Sequence, residues 1–196
     1  MLNDHSSALS LLQTRRSGRP RDLVEPGPDR AQLREIVSIA ARTPDHGKLA
    51  PWRFVHVGRN SRAALAELLH RAYRIDNPEP ARLEIEAVDR LAHQAPTLVV
   101  AVSSPLQGTK IPIWEQELSC GAACMNLLSA AHSMGYAAGW ITGWAAYSEV
   151  VRRAFAGEGE RIAGFLYIGT PAFPLEDRPR PPLDQILSDW PAAAPP

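Results

Sequence analysis

The chain has 196 residues; 21 lysines and arginines are balanced by 21 aspartates and glutamates, and 45% of the residues are hydrophobic. A chain of this length buries enough surface for one core without disulfide or metal staples, so residues 1–196 are expected to form a single domain. The cancelled charge leaves no summed field to draw the molecule to nucleic acid or an anionic membrane, and a small molecule or a protein is the expected partner.

The opening residues, MLNDHSSALSLLQTRR, lack the basic-then-apolar order of a signal peptide. No apolar run approaches the roughly 20 residues of a membrane span, so a cytoplasmic protein is expected. Ala8 to Thr14 carries Leu9, Leu11 and Leu12 in a short helical pattern, which Gly18 and Pro20 stop after the basic pair Arg15-Arg16. Asp29 is placed to cap a second helix through Leu33, Ile36, Val37 and Ala40, with Pro44 ending the run and Arg42 to Pro51 forming a loop.

Arg53 to Val57 reads as a short strand bounded by Gly58, and Ser61 opens a helix with Leu65, Leu68 and Leu69. A hinge is expected at Asn77-Pro78-Glu79-Pro80. The unbroken apolar run from Pro96 to Val102 has the length and residue type of a central strand covered on both faces. The longest helix spans Ile113 to Met134, and its middle, Ser119 to Cys124, is built almost wholly of small residues. An interior glycine costs about 1 kcal/mol relative to alanine, so Gly121 predicts tight helix packing, including packing across a subunit boundary. Gly135 ends this helix; Tyr136 to Thr142 reads as a strand, Ser148 to Phe155 as a capped short helix, Arg161 to Ile168 as a strand, and the tail is proline-rich. Without a βαβ rhythm or a glycine-rich strand-to-helix loop, the pattern points to an α+β arrangement and away from a doubly wound dinucleotide fold.

Arg15, Arg16 and Ser17 at a helix exit offer two guanidinium forks and a hydroxyl, the donors that a phosphate dianion requires, although a solvated cluster satisfies the helix dipole equally. Arg178 and Arg180 add positive charge near the end of the chain or stand as exposed loop arginines. His46 sits between Asp45 and Gly47, and no spaced Cys/His set accompanies it, so no metal site is expected. Adjacent Asp45 and His46 do not make a hydrolase pair without a serine in a nucleophile elbow. Trp52 anchors the start of its strand, and the acids of Trp114-Glu115-Gln116-Glu117 suit the positive end of a helix. Gly139 and Gly143 flank Trp140-Ile141-Thr142; they admit a flat ligand close to the backbone or simply form a turn. Cys120 and Cys124, four residues apart on one helix face, read as small buried packers in a reducing compartment.

In order and spacing, four motifs resemble the nitroreductase family of FMN enzymes, in its small single-domain bacterial branch: Arg15-Arg16-Ser17, Arg42-Thr43-Pro44-Asp45-His46 running to Phe54, Pro112 to Gly121, and Gly164 to Pro171. The resemblance implies an α+β fold with a mixed, largely antiparallel sheet sandwiched by helices, in an interlocked homodimer with FMN at the subunit interface. It implies that Arg15, Arg16 and Ser17 hold the FMN phosphate and ribityl chain, that Arg42 and His46 contact the flavin, that Trp140, Ile141 and Thr142 edge the isoalloxazine, and that Arg178 or Arg180 supplies a basic C-terminal position. Arg42 or Arg19 would then stabilise the reduced flavin anion. Lys48, Ala50 and Ile141 stand where the family or its small branch usually has polar amide or other polar side chains. The short connection from Arg71 to His93 leaves little chain for a lid, implying an open site.

The implied activity takes hydride from NADH or NADPH and reduces a small-molecule acceptor, a nitroaromatic, quinone or related compound, by alternate occupation of one site. The flavin carries that chemistry, so no acid–base triad is required. A non-catalytic flavin-binding protein, and a dehydrogenase or flavin-modifying member of the family, are the alternatives; a partner-binding interaction domain is a third.

Overall fold

In a computed structural model of the chain, the described residues are 2–190; residue 1 and residues 191–196, the end of the proline-rich tail, lie outside them. The elements in chain order are α1 (Ala8–Thr14), β1 (Leu23–Val24), α2 (Arg30–Ala40), β2 (Trp52–Val57), α3 (Arg62–Asp76), α4 (Arg82–His93), β3 (Thr97–Ser103), α5 (Ile113–Ser133), β4 (Ala137–Ile141), α6 (Gly143–Tyr147), α7 (Glu149–Phe155) and β5 (Arg161–Pro171).

The sheet is organised by β3 and β5. Strand β3 lies between β2 and β5, β4 also pairs with β5, and β1 pairs with the last two residues of β5. The sheet, expected to be mixed and largely antiparallel, is antiparallel in each of these pairings, so no parallel pairing is found among the described residues. All seven residues of β3 are buried. Alternation along it explains the unbroken apolar run: Leu98, Val100 and Val102 enter one core with Phe165 and Tyr167 of β5, while Val99 and Ala101 enter the other with Leu166 and Ile168. Helices α3, α4, α6 and α7 contribute to the first core, and α2 and α5 to the second. The result is the three-layer α+β sandwich that the element order predicts.

Helix α2 starts where Asp29 predicts. The Asp29 carboxylate accepts the Gln32 N–H at 2.8 Å, the Gln32 side-chain oxygen accepts the Asp29 N–H at 3.0 Å, and the Tyr136 hydroxyl donates to the same Gln32 oxygen at 2.8 Å. Ser148, by contrast, does not cap α7 with its hydroxyl, which is buried without a partner; its carbonyl instead accepts the Arg152 N–H. The segment from Arg71 to His93 is helical for most of its length: α3 continues to Asp76, and α4 follows the proline turn and buries Val88 and Ala92.

Cys120 and Cys124 are buried free thiols, as their helical spacing suggests. Gly121 behaves differently from the expectation of tight packing within the chain. A Cβ added there would meet no atom within 4 Å, because Gly121 lies on the side of α5 turned away from the core.

One buried cation closes the first core. The Arg62 guanidinium, 5% exposed, donates to the carbonyls of Val57, Ala92, Gln94, Ala95 and Pro96 at 2.8–3.5 Å. Five carbonyl dipoles take the place of a carboxylate and tie the end of β2 to the turn between α4 and β3. Replacing Arg62 by methionine keeps the bulk and removes the donors, and should cost about 3 kcal/mol because several desolvated carbonyls lose their partners. Urea unfolding of the two proteins measures the difference.

Candidate functional site

The residues singled out by the sequence gather at two places. The first is built on the free edge of β4. Gly18 donates its N–H to the Ala138 carbonyl at 3.0 Å, so the segment Arg15 to Arg19 runs beside the strand. Gly139 makes this possible: a Cβ there would stand 2.4 Å from the Gly18 carbonyl oxygen. The close approach that Gly139 permits is therefore taken by the chain itself and not by a ligand. Gly143 is the glycine that stays open, with φ +58 and no atom within 4 Å of its missing Cβ.

The arginines on this edge converge. Arg15 donates to the Ser17 hydroxyl at 3.4 Å. Burial, and then the charges of Arg180, Arg16 and Arg178, push the Arg15 pKa below its ordinary value, which places all four guanidiniums in one electrostatic neighbourhood. The charges of the C-terminal arginines thus act on Arg15. The tail is held against them through Glu176, whose carbonyl accepts from Arg16 Nε at 2.8 Å and whose carboxylate accepts from Arg19 at 3.1 Å. Arg180 in turn reaches Asp177 at 3.4 Å. Between the tail and the arginine segment lies a cleft of about 260 Å³ lined by Arg16, Ser17, Gly18, Arg19, Pro174 and Glu176 among others.

Along β4, Ile141 lies three residues from Ala138, about 10 Å of extended chain. Trp140 is tied to the sheet by its indole nitrogen. A bulge in β5 skips Ala163 in the pairing with β3, and the Trp140 indole N–H donates to the Ala163 carbonyl at 3.0 Å. Gly164 leaves room for the ring, since a Cβ there would collide with the indole nitrogen. Trp140 is 37% exposed, and Ile141 and Thr142 are half-buried, so the turn into α6 presents a surface at the end of the arginine edge.

Behind the arginines, His132 is fully buried at the end of α5. Its Nε2 accepts the Ala138 N–H at 3.1 Å, so a neutral ring carries its hydrogen on Nδ1, which has no partner. Burial and the charge of Arg15 push its pKa down to about 4. Sequence spacing gave no sign of this residue, which reads there as one more position on the helix.

The second place is the loop from Arg42 to Pro51, where Gly47, Lys48 and Ala50 take φ of +78, +56 and +46. Two non-glycine residues in the left-handed region cost of order 1–3 kcal/mol each. Side chains hold the loop in this shape: the Asp45 carboxylate accepts the N–H groups of Leu49 and Ala50 at 3.0 and 2.8 Å, and the Ser119 hydroxyl donates to the Pro44 carbonyl at 2.5 Å. Asp45 therefore serves the backbone and not its neighbour His46, whose Nδ1 stands 2.7 Å from the Glu115 carboxylate. Gln116 clamps the adjoining loop by bonds to Leu106 and Ile111. Glu115 and Gln116 at the start of α5 thus do more than complement a helix dipole. Arg42, His46 and Lys48 are exposed on the loop, while Trp52 and Phe54 pack on the second core as anchors.

Helix α5 separates the two places. His46 contacts Glu115 in its first turn and Arg15 acts on His132 in its last, and those positions are about 26 Å apart along the axis. One chain does not close Arg42 and His46 around the arginine edge. Among the described residues no group of three His, Cys, Asp or Glu side chains is arranged to hold a metal ion, and no helix is long and apolar enough to cross a membrane.

The chain is similar in sequence and fold to known proteins. The profile of the Nitroreductase family matches residues 12–170. The chain is 35% identical over 168 residues to the "Putative NAD(P)H nitroreductase YdjA" of Escherichia coli strain K12, covering 84% of this chain and 88% of that protein. Among solved structures, a nitroreductase-like family protein from Bacillus cereus superposes with a TM-score of 0.78 at 20% identity, covering 95% of this chain and 97% of that one. A variant of the FMN and NADPH-dependent nitroreductase NfnB from sphigopyxis sp. strain HMH superposes with a TM-score of 0.71 at 21% identity, covering 95% and 100%.

His132 gives this site a pH signature. An unfolded histidine takes up its proton below about pH 6.5, while in the folded chain it does so near 4. Between these values the unfolded state binds more protons, so stability contributed by the neutral ring is lost as the pH falls from 6.5 toward 4, by roughly 2–3 kcal/mol. Urea unfolding at pH 7 and pH 5 should show a smaller pH-dependent loss for His132→Gln than for the native chain.

Proposed function

The chain belongs to the nitroreductase family of oxidoreductases, and from that premise we propose that it is an FMN-dependent enzyme that takes hydride from NADH or NADPH and reduces a nitroaromatic, quinone or related acceptor. The observation that carries the reading is the arginine edge of β4, where the Gly18 backbone holds Arg15 to Arg19 beside the strand and burial, followed by the charges of Arg180, Arg16 and Arg178, lowers the Arg15 pKa. Such a cluster fits a phosphate dianion, which relieves the mutual repulsion through charge-assisted hydrogen bonds. The surface formed by Trp140, Ile141 and Thr142 lies about 10 Å farther along the strand, where a ring joined to that phosphate by a short polyol chain has room to rest. Bound FMN supplies the hydride chemistry. The residues of the chain supply the rest: Arg15, Arg16, Ser17, Arg178 and Arg180 grip the phosphate, and the β4–α6 turn supports the ring. Relatives named NAD(P)H nitroreductase support the choice of donor.

The second part of the reading is a homodimer whose site is shared. Trp114, Leu118, Gly121 and Met125 recur at helical spacing on α5, opposite the buried face of Cys120, Ala123, Cys124 and Leu127. Trp114 is 66% and Leu118 53% exposed, and Gly121 meets nothing in its own chain. An apolar stripe with a glycine at its centre suits close packing against the same helix of a second copy. A two-fold axis across α5 makes the two helices antiparallel and carries the Arg42–His46 loop of one copy toward the arginine edge of the other. That arrangement unites the two places which one chain keeps apart.

The test is anaerobic titration of the purified, FMN-loaded protein. It should be yellow, and NADH or NADPH should bleach it, with colour restored by a quinone or nitroaromatic. Flavin that binds but never bleaches would favour the non-catalytic alternative. In the same assay Arg15→Ala loses a charged hydrogen bond, so its FMN affinity should fall roughly ten- to a hundredfold. Gly121→Leu adds bulk only to the open stripe. It should keep the melting temperature of the monomer, appear as a monomer by light scattering, and lose FMN retention.

A further inference from the structure

We propose that Glu115 is a positioning residue for the flavin site: it orients the His46 ring that meets the FMN of the partner subunit. The inference rests on the FMN-binding reading above and goes beyond it by assigning a role to a side chain 69 positions from the histidine it serves.

The argument starts from what else holds the loop. Its backbone is fixed without Glu115, by the Asp45 carboxylate on the N–H groups of Leu49 and Ala50 and by the Ser119 hydroxyl on the Pro44 carbonyl. Gly47 presses on Ile111, where an added Cβ would stand 3.2 Å from the nearest side-chain carbon. What this frame leaves free is the rotation of the His46 side chain, which is 67% exposed. The Glu115 carboxylate at 2.7 Å from Nδ1 removes that freedom.

The contact also decides which nitrogen faces outward. With Nδ1 turned to the carboxylate, Nε2 is the nitrogen left for a ligand. A neutral ring held in this way carries its hydrogen on Nδ1 and offers Nε2 as an acceptor; a protonated ring offers Nε2 as a donor. In both states the direction of the contact is set by Glu115. An exposed pair of this kind contributes little to the stability of the free chain. Its purpose is then orientation, and its effect is realised when the ring is covered by a bound flavin.

A double-mutant cycle on FMN binding tests this, with affinity read from quenching of flavin fluorescence and ring environment from visible circular dichroism of the bound flavin. Glu115→Ala and His46→Ala should each weaken binding about three- to tenfold, the scale of one hydrogen bond. The double variant should be no weaker than His46→Ala alone, because Glu115 acts through the ring. Glu115→Gln retains an oxygen acceptor for Nδ1–H and should restore most of the affinity and the native dichroism. The melting temperature of each FMN-free variant should stay within about 2 °C of the native chain, as expected when exposed pairs are removed. Independent losses that add in the double variant would overturn the assignment, as would native affinity in Glu115→Ala. If the native chain itself fails to bind FMN, the cofactor reading falls and this inference with it; if the native chain binds and the cycle shows no coupling, only the role of Glu115 falls.

Discussion

A single backbone hydrogen bond, from the Gly18 N–H to the Ala138 carbonyl, fixes where the segment Arg15 to Arg19 lies on the sheet. It lays the arginine segment along the open edge of β4, and the side chains of Arg15 and Arg16 follow from that placement. His132 supports the same strand from behind by accepting the N–H of Ala138, the residue whose carbonyl holds Gly18. A buried neutral imidazole at this point does what a charged one cannot: it satisfies the strand without adding another cation behind Arg15. The arrangement is a layered one, in which a core residue fixes a strand, the strand fixes a loop, and the loop carries the charges.

The cost of gathering several guanidiniums is met in two ways. Glu176 and Asp177 on the tail pair with Arg19 and Arg180, leaving the half-buried Arg15 with its charge opposed by its neighbours. An anion bound at this edge would relieve that repulsion. The Arg42–Pro51 loop is preorganised by other means. Its left-handed residues are unfavourable in isolation, and Asp45 and Ser119 hold them in place with hydrogen bonds.

The periodicity of the sequence was sufficient for the layers. The run Pro96 to Val102 reads as a doubly covered strand because both of its faces are apolar, and Asp29 reads as a cap because Leu33, Ile36, Val37 and Ala40 follow it at helical spacing. The proline cluster at Asn77 to Pro80 obscured α4, whose charged surface hides a narrow apolar stripe, and the five-residue α6 is too short to show a period. The site was legible as residue types and less so as contacts. The charges of Arg16, Arg178 and Arg180 act on Arg15, yet Gly139 serves Gly18 and not a ligand, and His46 bonds to Glu115 instead of the neighbouring Asp45. Pairings across 69 or 120 positions depend on how layers stack, and no local pattern encodes them. The separation of the two basic groups by α5 is likewise invisible until the length of that helix is set against the contacts at its ends.

The two thiols on the buried face of α5 have a practical consequence. Cys120 is 1% exposed and Cys124 is fully buried, and they are the only sulfhydryl groups in the chain. Alkylating reagents applied to the native fold meet neither of them. A lone cysteine engineered onto the surface would be the single labelling point per polypeptide, ready to carry a spin probe or dye without first stripping out the natural ones.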